Sequence, residues 1–129
     1  MTTELTMLAL SIVLGFIHIL ASGHATTRQY GTAWNMGARD AAMPALNPLA
    51  GRLDRASQNF KETFPLFAAA VLIAHVAGRN GALTFWGAQL YFFGRLVYGP
   101  VYALGIPYLR SVVWGGATAG IVMVLLALI

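Results

Sequence analysis

The stretch Arg55-Ala56-Ser57-Gln58-Asn59-Phe60-Lys61-Glu62-Thr63-Phe64-Pro65 runs without an intervening loop into the apolar segment Leu66 to Ala77. On a helix turning every 3.6 residues, Arg55, Asn59 and Glu62 stand at i, i+4 and i+7 and form a single polar stripe. A charged stripe at the mouth of a membrane helix is costly unless it faces protein, water or a ligand. The stretch therefore predicts a helix that enters a membrane and carries a site where it does so.

Composition supports the membrane setting. The chain is 58% hydrophobic and 9% charged, against about 25% charged residues in soluble domains, and its mean hydropathy is +0.69. Its 129 residues predict one domain, 1–129. There is no cysteine, which excludes disulfides, thiolate metal sites and a cysteine nucleophile. The basic balance, eight Lys and Arg against four Asp and Glu, falls in membrane loops and comes with no stacking module or recognition helix. We read no nucleic-acid partner from it.

Working outward from residues 55–65, the sequence predicts an all-α integral membrane four-helix bundle. A helix needs roughly 20 apolar residues to cross a hydrocarbon core of about 30 Å. Candidate spans lie at about 5–24, 55–78, 82–104 and 110–129. The first lacks a basic region before it, Glu4 being the only charge there, so it reads as a retained span and not a signal peptide. A long loop is expected over about Gly23–Gly51, where Pro44, Asn47-Pro48 and several glycines act as breakers. Short connectors at Gly78–Gly81 and Gly105–Tyr108 make neighbouring helices antiparallel. Arg28, Arg39, Arg52, Arg55, Lys61 and Arg110 fall on one side of the membrane and Arg79 alone on the other. The positive-inside rule then puts both termini on the non-cytoplasmic side. The compact form suggests a bacterial inner membrane.

The third span carries a second stripe, Tyr91, Arg95, Tyr98 and Tyr102. Arg95 is about ten residues from the cytoplasmic end of its helix, deep enough to need a partner, and Glu62 on the neighbouring helix is within expected reach. One reading of this pair is a salt bridge that only clips two helices together. Against it, Arg52, Arg55, Asn59, Tyr98, Tyr102 and Arg110 crowd the same half. Several arginines with one carboxylate and an amide suit a small anionic ligand bearing carboxylates and an amine, since guanidinium forks bind carboxylates bidentately. His18 and His75 stand over roughly 10 Å apart along the axis, too far to share a metal, and His18 is expected to be a hydrogen-bonded packing residue. Gly116 and Gly120 form a GxxxG that reads as helix packing.

These residues resemble the MAPEG family, the membrane-associated proteins of eicosanoid and glutathione metabolism. Its pattern Arg-x-x-x-Asn-x-x-Glu-x-x-x-Pro is matched by Arg55, Asn59 and Glu62, with Pro65 one residue early; Gly94-Arg95, Tyr98 and Tyr102 resemble its third helix, and Arg110 to Trp114 the opening of its fourth. The resemblance implies a homotrimer that binds glutathione as co-substrate between subunits near the cytoplasmic face. Arg52, Arg55, Asn59, Glu62, Arg95, Tyr98 and Tyr102 would hold or line it. Arg110 would be the catalytic, thiolate-stabilising arginine, because a cation beside a thiol lowers its pKa. The implied activity is that of a glutathione transferase or peroxidase acting on hydrophobic electrophiles or lipid hydroperoxides reached from membrane lipid. Gln58 stands where some members carry a basic residue, and the connector before Arg110 lacks the extra basic residues of catalytic members. The alternatives are a non-catalytic membrane scaffold or a small transporter subunit with a structural Arg–Glu pair.

Overall fold

The computed structural model describes all 129 residues, and every regular element in it is a helix: α1 Thr3–Tyr30, α2 Thr32–Met36, α3 Pro48–Val76, α4 Ala82–Ala103 and α5 Leu109–Leu126. Two of the long helices begin on a side-chain cap. The hydroxyl of Thr2 accepts from the Leu5 backbone N–H at 3.3 Å. The Asn47 side chain accepts from Ala50 N–H at 2.8 Å, with Pro48 in the first turn, a position where the missing N–H costs nothing. Gly31, at φ +96°, ends α1 in a conformation that glycine tolerates best.

Two expectations change here. The long loop over 23–51 shrinks to residues 37–47 plus the short α2. Gly23 does not break α1, which continues through polar residues to Tyr30, and Asn47-Pro48 starts a helix where a turn was expected. The helices also outrun the apolar runs that revealed them. α1 has 28 residues and α3 has 29, about 42 Å each at 1.5 Å per residue. The ends of both reach beyond a hydrocarbon core of about 30 Å.

Two helices, α1 and α5, are long and apolar enough to cross a membrane. In α3 and α4 polar side chains interrupt the apolar run. The distribution of polarity is nevertheless inverted relative to a water-soluble domain. Phe16 is 61% exposed and Val112 70%, whereas Arg95 is 0% exposed and Glu4 6%. Large apolar side chains face outward on all four long helices, as an apolar surrounding requires.

α4 packs most extensively on α5, and α1 on α3. The α4–α5 approach depends on small residues. A Cβ at Gly120 would lie 2.5 Å from the Gly87 carbonyl oxygen and 2.7 Å from the Tyr91 nitrogen, and one at Gly94 would lie 3.0 Å from Ala117 Cβ. The GxxxG pair is therefore split: Gly120 is used inside the protomer, while Gly116 has no neighbour within 4 Å. Leu8, Phe67, Val71, Tyr91, Ile121 and Val124 fill the core beneath this seam. At the outer end, Thr84 Oγ1 donates to Glu4 Oε1 at 2.6 Å and accepts from Gly81 N–H at 2.8 Å, which joins α1 to the start of α4.

Gly120→Ala should destabilise the protein by about 1–3 kcal/mol through overpacking. Gly116→Ala should leave it unchanged. Thermal unfolding of the two variants in detergent distinguishes these outcomes.

Candidate functional site

The site is built around Arg95. Its guanidinium is fully buried, and a charge in that position needs hydrogen bonds on every side. Nη1 donates to Asn59 Oδ1 of α3 at 2.7 Å. The Cζ carbon lies 4.3 Å from the Tyr98 ring centroid and 5.5 Å from that of Phe60, so aromatic faces supply part of the compensation. Nε and Nη2 have no hydrogen-bond partner within the chain.

The partner differs from the one expected. Asn59, not Glu62, takes the arginine, and Glu62 is exposed. Three residues on a helix amount to about 300° of rotation, so the two side chains diverge by about 60°. That is enough to point one at α4 and the other outward. The Arg95–Glu62 clip does not form within the chain.

Toward the α3 start, three further arginines meet the end of α4. Arg55 Nε donates to the Tyr102 hydroxyl at 3.0 Å. Arg110 lies over the Tyr102 ring, its Cζ 5.0 Å from the centroid. Arg52 Nη1 donates to the Ala103 carbonyl at 3.4 Å. It thereby caps the C-terminus of α4, where a cation meets the negative end of the helix dipole.

A cleft of about 240 Å³ opens between α3, α4 and α5, lined by Asn59, Tyr98, Arg110, Ser111 and Trp114. Of the residues expected from the sequence, Asn59, Tyr98 and Arg110 line it. Arg95 stands behind, holding Asn59 and Tyr98 in place. Arg55 and Tyr102 form a neighbouring pair, Glu62 is exposed, and Arg52 reaches the end of α4. Ser111 and Trp114 were not singled out for a site. Their signal was available, since Trp114 follows Arg110 by four residues and shares its face. Arg110 itself sits in the first turn of α5, just after Tyr108, whose φ of +62° is a left-handed conformation uncommon for a non-glycine residue.

His18 packs as expected, stacked on Phe60 with centroids 5.1 Å apart. The expected hydrogen bond is missing at Nε2, which is buried and unpartnered, because the ring edge faces the α4 backbone at Gly99, which offers no side chain.

The MAPEG family model matches residues 5–129, essentially the whole chain. The chain belongs to the MAPEG family. No curated protein matches it. The family is membrane-associated and includes glutathione transferases and related proteins.

Removing the amide that meets Arg95 tests the geometry. Asn59→Ala should destabilise the protein by about 1.5–3 kcal/mol, the range for a hydrogen bond to a charged group. Asn59→Asp should retain stability, because it keeps the acceptor and adds a countercharge. Melting of both variants in detergent without any ligand is the check.

Proposed function

We propose that this MAPEG protein binds glutathione in the cleft beside Asn59 and Arg110 and joins it through its sulfur to hydrophobic electrophiles, or uses it to reduce lipid hydroperoxides. The observation that carries the proposal is the cleft itself. It presents an amide, a phenol, a serine hydroxyl and a guanidinium together, backed by a buried arginine with two unused nitrogens. That set of donors matches a small peptide with two carboxylates.

The protomer alone supplies only part of such a site. Arg55 and Glu62 belong to the same stripe as Asn59, yet both are exposed. Glu62 in particular has an outward carboxylate next to large exposed apolar side chains such as Leu66. We infer a homotrimer of four-span protomers in which this outward stripe completes the site against a neighbour. The peptide's amine would meet Glu62, and a carboxylate Arg55. The apolar co-substrate would arrive from the bilayer between α1 and α5 of adjacent subunits. Both termini would lie on the non-cytoplasmic side of a bacterial inner membrane.

In the reaction, Arg110 has the central role. A guanidinium beside the cysteine sulfur of glutathione favours the thiolate over the thiol. The thiolate then attacks the electrophilic carbon of the co-substrate, forming the C–S bond as the leaving group or π electrons depart. Tyr98 and Ser111 would orient the peptide. Trp114 would cover its apolar side.

A second reading has specific support. The Arg95–Asn59 bond joins α3 to α4 with no ligand at all, as a scaffold would require. Thermal unfolding against glutathione separates the two. At 100 times its dissociation constant the peptide should stabilise wild type by about 2.7 kcal/mol, and Glu62→Gln and Arg55→Ala should lose that gain. No shift at millimolar glutathione would leave the scaffold reading.

A further inference from the structure

The side of α4 turned away from the cleft borders a second cavity. Leu96 stands two residues before Tyr98, about 200° around the helix, and with Gly99 and Pro100 it forms a strip that faces α1. On α1, Leu14, His18 and Ala21 form the opposing strip, and α3 supplies the third wall. The cavity between them measures about 320 Å³, and His18 is the one polar side chain in its lining.

Two polar groups meet there without partners. His18 is 8% exposed. One face of its ring stacks on Phe60, with centroids 5.1 Å apart, and the ring edge arrives at Gly99. Nε2 is buried and has no hydrogen-bond partner. A Cβ at Gly99 would lie 3.3 Å from Cε1 and 3.6 Å from Nε2, so a larger residue would cover this edge. Pro100 lies inside α4 and has no N–H, which leaves the Leu96 carbonyl one turn back without its usual donor. Leu96 and Pro100 both line the cavity, so the open carbonyl sits at the level where the imidazole arrives. Each group costs stability while it stays unpaired.

We propose that this cavity binds a compact neutral molecule with one hydroxyl, of the phenol class, which donates to the Leu96 carbonyl and accepts from the His18 imidazole. Three features select that class. A hydroxyl both donates and accepts, as a single group must to serve a carbonyl and an imidazole N–H together. No Asp, Glu, Lys or Arg lines the cavity, so an ionised ligand would be buried without a countercharge. The polar pair also lies deep. His18 is six residues inside the expected end of its span near residue 24, about 9 Å along the axis. A lipid whose head stays at the membrane boundary does not bring that head to His18. The volume is at the small end of ligand sites, roughly 300–1,000 Å³, and suits a molecule of one or two rings.

The site is independent of glutathione, so its test omits it. The full chain is reconstituted in phosphatidylcholine nanodiscs, and binding of naphthol and of naphthalene is measured by fluorescence against empty discs. Naphthol should bind saturably, one per chain. Naphthalene has the same rings without the hydroxyl and should bind about tenfold more weakly, the worth of a hydrogen bond to a buried group. His18→Phe keeps a ring against Phe60 and should bring naphthol down to the naphthalene level. Ala21→Phe fills the cavity from α1 and should abolish binding of both. Glu62→Gln should change nothing, which separates this cavity from the cleft. With isotope-labelled histidine, naphthol should shift the imidazole resonances of one histidine of the three, the one missing from His18→Phe. Unfolding scans without ligand confirm that the variants fold. Equal binding of the two probes by wild type, or undiminished binding by a folded Ala21→Phe, would overturn the proposal. So would the absence of saturable naphthol binding, which would leave the two groups to a buried water.

Discussion

A permanently charged guanidinium held out of water is the constraint on which this structure turns. Arg95 is a guanidinium, a group that keeps its charge in proteins, and it cannot reach solvent from a fully buried position. Its neighbours are therefore chosen for it. Asn59 must face α4, Tyr98 and Phe60 must offer ring faces, and α3 must pack on α4 in the one rotation that allows both. The cleft follows from that rotation, because the two groups steadied by Arg95 are the ones that line it beside Arg110.

α3 consequently works on two faces. Its Arg55–Asn59–Glu62 stripe turns to α4 and outward, and Ser57, Phe60, Lys61 and Phe64 turn to α1. A helix of 29 residues is long enough to hold polar groups near the membrane boundary on both faces while its C-terminal half supplies Phe67, Ala70, Val71 and Ala74 to the apolar core. Pro65 sits between these halves, within the helix. Its missing N–H leaves the Lys61 carbonyl without its usual helical donor.

Much of this was legible in the residues. Helical periodicity identified both polar stripes, the depth of Arg95 announced a partner, and Arg110 and Tyr98 belonged with Asn59. The identity of the partner was not legible. Asn59 and Glu62 lie on one stripe, and sequence spacing leaves the rotation of that stripe against α4 undetermined. Arg52 shared the charge and neighbourhood of Arg55, and nothing in the spacing signalled its reach to the Ala103 carbonyl. The loop over 23–51 was overestimated for a different reason. Apolarity marks where a helix lies in the membrane, while its polar continuation into water looks like loop to the same reading. The split of Gly116 from Gly120 could not have been seen either, since a GxxxG states that a close approach is possible and not which neighbour makes it.

The polar contacts on α4 explain why so apolar a chain has a single register. In lipid, hydrocarbon side chains gain little by choosing one another over acyl chains, so apolar packing alone leaves helices free to slide. α4 carries Thr84, Tyr91, Arg95, Tyr98 and Tyr102 along one face, at helical spacings from its outer end to its inner one. Thr84 meets Glu4 of α1, the Tyr91 hydroxyl lies 3.0 Å from Thr63 Oγ1 of α3, and Arg95 meets Asn59. Tyr102 then accepts from Arg55. Each contact is lost by a slip of one turn, because a rise of about 5.4 Å exceeds the tolerance of any hydrogen bond. The same ladder that fixes α4 against α1 and α3 thus determines where its last members, Tyr98 and Tyr102, stand relative to Arg110. The cleft inherits its geometry from contacts made as far away as the opposite end of the helix.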